Sequence, residues 1–513
     1  MKRLFILLSI LFLSVQVLFS QQNKKETERL KKSADLLFEY NSFKKALEIY
    51  QVLYKSDSLN GEINFKVGVC IYYLGNEKKD AIPYFERAAF HDQIDSYYYL
   101  GCLYHLNAEF EKALSSYNQY RNQKGEKSFV DYEIERQISI TRNAKERIKK
   151  PINVQIENMG PVINSLHHDY APLISADGNL LIFTSRRESS TGGLLDPYEE
   201  YFEDIYISRK VENEWTEPKG ISHNINSSGH DASVTLTADG EKLFIYRTNQ
   251  SLTGGDIYES KYDGSDWTKP EKLEPDINSV DGWESSASIS QDSEIFYFSS
   301  NRPGGYGGKD IYRVVKLPNG LWSKASNLGS AINTAFDDDA PFIHPDGKTL
   351  YFSSKGHNTM GGYDIFKTIK DENGWSTPEN IGYPINSVED DIYFVLTVNG
   401  DVGYYASKKA SGIGKSDIYK VFLPDENFDL AVLKGSVHNK DKLPLSATIT
   451  LIDEEYNSIH GMYNSNRLTG KFIMIIKPGK TYRLIVESPG YNSFSDIVGS
   501  HTPIISLKLI ETK

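Results

Sequence analysis

The chain has 513 residues, 39% hydrophobic and 25% charged, with a mean hydropathy of −0.46. That length suggests roughly three domains, and the hydropathy excludes a multi-span membrane protein. A net charge of −12 without a basic block excludes a nucleic-acid binder, because phosphate neutralisation needs clustered Lys and Arg. Two cysteines exclude a disulfide scaffold and a Cys-based zinc site.

Residues 1–20 read as a secretory signal peptide. Lys2 and Arg3 form the basic start, an apolar run follows from Leu4 to Leu13, and Ser20 precedes the cut. The rival is an uncleaved anchor, for which the apolar stretch is short of the ~20 residues a span needs. No Cys lies near the cut, and no later segment reads as a direct membrane span.

Residues 25–150 carry apolar positions at helical spacing. Small residues recur at Ala34, Gly68 and Gly101, then at Ala46, Ala81 and Ala113, each of the latter followed four residues on by Tyr50, Phe85 or Tyr117. Small residues let two helices approach and the aromatic fills the gap. This pattern resembles the tetratricopeptide repeat, although the usual Trp and late Pro are missing, and it implies an α-solenoid. Residues 131–149 read as its polar cap. Cys70 and Cys102 read as small packing residues rather than a bridge.

Residues 151–425 repeat more clearly. The triplet D-I-Y or D-I-F begins at Asp204, Asp256, Asp310, Asp364 and Asp417, at spacings of 52, 54, 54 and 53. Upstream of each lie a turn such as A-D-G or P-D-G, a β-rich run and a glycine-rich stretch. Downstream lies Trp215, Trp267, Trp322 or Trp375, and I-N closes each unit at Ile163, Ile225, Ile277, Ile332 and Ile385. Four strands per unit, repeated, give a β-propeller. The fifth triplet has no Trp unit after it, so residues 152–158 are expected to close a five-bladed ring; six blades are the alternative. The x-D-G turn, the F-x-S run and D-I-Y resemble the WD-like repeat of the TolB type.

Nine residues before each turn's last residue stands an acid: Asp169, Asp231, Glu284, Asp338, Asp391. Just past the second strand stands a base: Arg186, Arg247, Arg302, Lys355, Lys408. Facing each other at one hairpin edge, they read as structural pairs. The competing reading makes the five acids a rim that binds a cation or a basic partner. His167, His168 and His230 read as surface turn residues. Asp337–Asp339 hint at calcium but lack spaced ligands. No catalytic, cofactor or metal motif is found, so no enzyme is expected.

Residues 430–513 hold strand patterns, including a hairpin of 469–476 and 482–487 around K-P-G-K. They resemble the carboxypeptidase regulatory-like domain, which implies a transthyretin-like β-sandwich. The module order resembles the PorE-type component of the Bacteroidetes type IX secretion and gliding machinery, without its OmpA-like end. That resemblance implies a non-enzymatic periplasmic scaffold, peripheral to the outer membrane, with protein partners such as a PorP/SprF-like barrel. The alternative is a secreted or periplasmic glycan-binding protein or glycosidase that uses the propeller channel.

Overall fold

The computed structural model describes residues 25–74, 78–123, 128–196, 199–249, 254–424, 426, 428–499 and 504–509. The expected signal peptide lies outside the described residues. The chain divides into two compact units, the first running to Lys145 and the second from Glu146.

The first unit is helical. Residues 25–39, Phe43–Ser56, Gly61–Leu74, Ile82–Phe90, Ser96–Leu106, Phe110–Asn122 and most of Asp131–Arg147 are helices. A side chain at Gly68 would meet the Phe85 ring, and one at Gly101 would run into Tyr117. Cys70 and Cys102 are free. The expected solenoid of tetratricopeptide repeats is not what the chain builds. Apart from the single turn Gly160–Ile163, its described helices are short and N-terminal, and the rest is β. The reason is physical: small-residue and aromatic spacing fixes how one helix meets the next, and nothing in it obliges the pairs to continue as a superhelix. No described helix is long and apolar enough to cross a membrane.

The second unit begins with five antiparallel sheets. Their first strands, Asp169–Ile174, Asp231–Leu236, Ala287–Ile289, Asp338–Ile343 and Asp391–Leu396, lie side by side in a closed ring. Each sheet runs outward through the F-x-S strand to the triplet strand. The fourth strands are mere two-residue bridges such as Ser326–Asn327, because each Trp segment turns away after meeting the triplet strand. In the fifth blade the outer strand is Gln155–Asn158, paired antiparallel with Asp417–Phe422. The ring is thus closed by hydrogen bonds between the two ends of its own chain.

Buried amides hold each blade. The Asn of every I-N turns its side chain onto the Ile of a triplet: Asn226 on Ile205, Asn278 on Ile257, Asn333 on Ile311, Asn386 on Ile365, and Asn164 on Ile418. Its Oδ1 accepts the Ile N–H, and its Nδ2 donates to the Ile carbonyl. The position opposite the third triplet residue adds a second bond. Asn158, Asn327 and Asn380 there donate to Asp417, Asp310 and Asp364 at 2.6, 2.7 and 2.6 Å. Lys272 takes that place in the second blade and pairs with Asp256 at 2.8 Å.

In the first blade the same position is Gly220, opposite Tyr206. Asp204 is consequently left with Oδ1 buried and unbonded among the described residues. Burial pushes its carboxyl up to about 6. A Cβ at Gly220 would meet only Asn226, at 3.5 Å. Gly220→Asn should therefore stabilise the protein by about 1 kcal/mol through the missing bond. The check is a raised urea midpoint with unchanged slope; an unmoved midpoint would show that Asp204 gains nothing from the amide.

Residues after Leu430 form a sandwich. One sheet holds Lys471–Ile476, Ala431–His438 and Ile504–Lys508; the other holds Ser458–Asn464, Thr448–Asp453, Thr481–Glu487 and Phe494–Gly499. The expected hairpin around K-P-G-K is corrected: its two strands belong to opposite sheets, and the turn arches across the core. Alternation along a strand marks its buried face but not its partner. The sandwich packs on the x-D-G end of the propeller. Leu430 and Ile475 meet Val398, Ala176 and Ala238, and Lys434 Nζ bonds Asp177 at 2.6 Å.

Candidate functional site

The five repeated acids stand at the other end of the ring, where the first strands begin. All five are fully buried. Each accepts a backbone N–H from the residue four or five positions earlier: Ser165, Ser227, Ser279, Thr334 and Ser387. Their carboxylates therefore fasten loops inside the blades, and no acidic rim of these residues faces solvent.

Their basic partners differ in part from those expected. Asp231 pairs with Arg247 at 2.5 Å and Glu284 with Arg302 at 3.2 Å. Asp169 pairs with Arg187, not Arg186, at 2.8 Å, and Asp391 with Lys409, not Lys408, at 2.9 Å. Asp338 bonds Ser354 and Thr334, and no ion pair to it is formed among the described residues. The shift has a simple origin. Asp169 lies opposite Ser185 and Asp391 opposite Ser407. Two residues on, Arg187 and Lys409 return to that face, whereas Arg186 and Lys408 point the other way.

That other way is the mouth of the central channel. A cavity of about 250 Å³ opens there, lined among others by His168, Tyr170, Arg186, Tyr363, Tyr393 and Lys408. Lys408 pairs with Asp390 at 2.8 Å and Lys355 with Asp337 at 2.8 Å. Arg186 holds Glu200 at 2.8 Å and Asp196 at 2.5 Å, and Lys415 reaches Glu200 across the closure at 2.6 Å. His168 and His230 are drawn into this network rather than left as surface turn residues. His168 Nε2 is 3.4 Å from Glu200, and His230 Nδ1 is 2.7 Å from Glu203, which also accepts from the Tyr170 hydroxyl at 2.5 Å. Asp339 pairs with Lys309 at 2.7 Å. Asp337 and Asp339 each have a lysine where the calcium reading wanted a metal. Among the described residues no group of three or more His, Cys, Asp and Glu is placed to hold a metal ion.

Burial alone would raise the carboxyls of Glu203, Asp339 and Asp390. Contacts with His230, Lys309 and Lys408 outweigh it, so all three stay below the usual carboxylate range, Asp339 at about 2. Below the mouth the channel narrows between first-strand residues such as Leu173, Val234 and Phe342.

Tyr393 belongs to both the mouth and the channel. It sits in a register shift of its strand at φ 61°. Ala171 and Ala340 take the matching places in two other blades at φ 49°. A bulky residue there is strained, at ~1–3 kcal/mol, and such strain concentrates at functional sites. The Tyr393 ring stacks on Tyr170 with centroids 5.8 Å apart. Burial, followed by the charges of Asp339, Glu203 and Asp390, holds its phenol far above the ordinary tyrosine range. Its hydroxyl makes no hydrogen bond among the described residues. The bulge that aims it carries no sequence motif, so sequence reasoning had no means of finding Tyr393.

No family model matches the chain, and no curated protein matches it. Similar solved structures include an α-L-arabinofuranosidase from Lactobacillus brevis, at 16% identity and TM-score 0.33, covering 52% of this chain and 95% of that one. CoXyl43, a GH43 β-xylosidase/α-arabinofuranosidase from a compost metagenome, gives 13% identity and TM-score 0.36, covering 53% and 97%. A glycosyl hydrolase from Bacteroides ovatus gives 10% and 0.35, covering 51% and 85%. The expected scaffold of a secretion or gliding machine is corrected accordingly. Its acidic docking rim is buried, and its helical solenoid is not formed.

Proposed function

We propose that the channel mouth binds an uncharged, hydroxyl-rich ligand, a saccharide. The observation that carries this reading is Tyr393: a strained tyrosine in the mouth, stacked on Tyr170, whose hydroxyl makes no hydrogen bond among the described residues. Asp390, which lines the mouth, is an acceptor for sugar hydroxyls, while Arg186 and Lys408 are donors. The stacked rings of Tyr393 and Tyr170 supply an apolar surface for C–H faces. Most of the acids around it are paired with an arginine or a lysine, so the mouth offers little net charge to an ionic ligand. The reading is binding rather than hydrolysis. A glycosidase of the usual kind needs one carboxyl still protonated at its working pH, and Asp390, the carboxyl that lines the mouth, is held below the usual range by Lys408.

Calorimetric titration of the full chain with neutral sugars, glucuronate and glucosamine tests this. Neutral sugars should bind, and Tyr393→Phe should weaken them about 3–10-fold through one lost hydrogen bond. Tighter binding of a charged sugar, or no effect of the substitution, would overturn the proposal.

A further inference from the structure

The mouth does not end at Tyr393. Trp283 stands one residue before Glu284, at the start of the third blade, at the same end of the ring. The equivalent residues of the other blades are His168, His230, Asp337 and Asp390. Those four are tied to charged partners. Trp283 is 42% exposed, which leaves a large apolar surface in water.

It is nonetheless held firmly. Its backbone N–H donates to Asn301 Oδ1 at 2.7 Å, and the Tyr246 ring flanks it at 6.2 Å. The Lys309 ammonium lies 4.9 Å from the indole centre. The same ammonium bonds Ser285 at 2.7 Å and Asp339 at 2.7 Å. Asp339 in turn is one of the three carboxylates that act on the Tyr393 phenol. Ser286 and Ala340, the next residues after Ser285 and Asp339, line the channel together with Tyr393, so the exposed indole stands over the same channel.

We propose that the site takes a neutral oligosaccharide rather than a single sugar, with one ring at Tyr393 and a further ring stacked on Trp283. This rests on the saccharide reading above. An ion pair stands between the two aromatic positions, so a ligand touching both is longer than one ring. Along the way it finds a donor in the Lys309 ammonium. An indole with one open face is suited to stacking on the C–H face of a sugar, and the neighbouring ammonium is suited to its hydroxyls. The null role for Trp283 is to shield Lys309 by a cation–π contact. That role predicts no dependence of binding on ligand length.

The test titrates the full chain with glucose and cello-oligosaccharides of two to four units, and with xylose and the matching xylo-oligosaccharides. In at least one series affinity should rise roughly tenfold from one unit to three, which is the ~1.4 kcal/mol expected of one stacked ring. Trp283→Ala should abolish that rise and leave the monosaccharide affinity unchanged. Trp283→Phe should keep most of it, which guards against mistaking misfolding for lost contact. A flat length dependence in the wild type, or a rise that survives Trp283→Ala, would overturn this inference while leaving Tyr393-dependent monosaccharide binding intact. Absence of binding in both series, monosaccharides included, would overturn it together with the reading beneath it.

Discussion

Replacing Glu157 by Pro should destabilise the propeller by about 2–4 kcal/mol, although the residue is exposed and far from the channel. Met159 N–H donates to Ile418 O at 3.1 Å. Antiparallel ladders alternate, so Glu157, two residues back and opposite Lys420, occupies the next hydrogen-bonded position. Proline there removes a ladder donor from the strand that pairs the two ends of the ring. It also unseats Asn158, whose side chain bonds Asp417, Gly160 and Asn164. Glu157→Ala keeps the donor and should cost less than ~0.5 kcal/mol. Urea unfolding of both variants decides the matter. Equal midpoints for the two would mean that the closing strand adds nothing to stability.

The buried acids should divide into two classes. Asp169→Asn and Asp231→Asn each leave a half-buried arginine, Arg187 or Arg247, without its anion, and should cost about 3 kcal/mol. Asp338 has no cation to lose. Burial pushes its carboxyl up to about 7, against the ordinary value near 4. A carboxyl raised in this way favours folding most below the unfolded value, and the contribution is lost as pH rises through about 7. Asp338→Asn should thus cost little at pH 5 and become neutral or stabilising at pH 8.5. The Asp169 and Asp231 variants should stay destabilised at both. A pH-independent effect of Asp338→Asn would contradict the assignment of its charge.

The sequence revealed the period of the β region because D-I-Y, I-N and the x-D-G turn each do one local job in every blade. Those jobs were only partly legible. The acids stood out at a fixed distance from the turn, but their partners depend on which face a residue takes at a strand end. A one-residue step there separates Arg187, inside the blade, from Arg186, in the mouth. The asparagines at 158, 327 and 380 lie six residues before the I-N asparagines, yet glycine and lysine interrupt the series at 220 and 272 and hide it. In the helical region the spacing of Gly68 and Gly101 reports contacts between neighbouring helices and is silent on how many pairs follow, so it does not specify a solenoid. Tyr393 could not be found at all, since its role comes from a strand bulge and from charges contributed by three different blades.

The most direct measurement is a crystal structure of the full chain grown with the tightest-binding neutral oligosaccharide. A sugar ring is expected against Tyr393, with hydroxyls on Asp390, Arg186 or Lys408, in the cavity at the acid end of the ring. An empty mouth with the sugar bound elsewhere on the propeller or on the sandwich would contradict it.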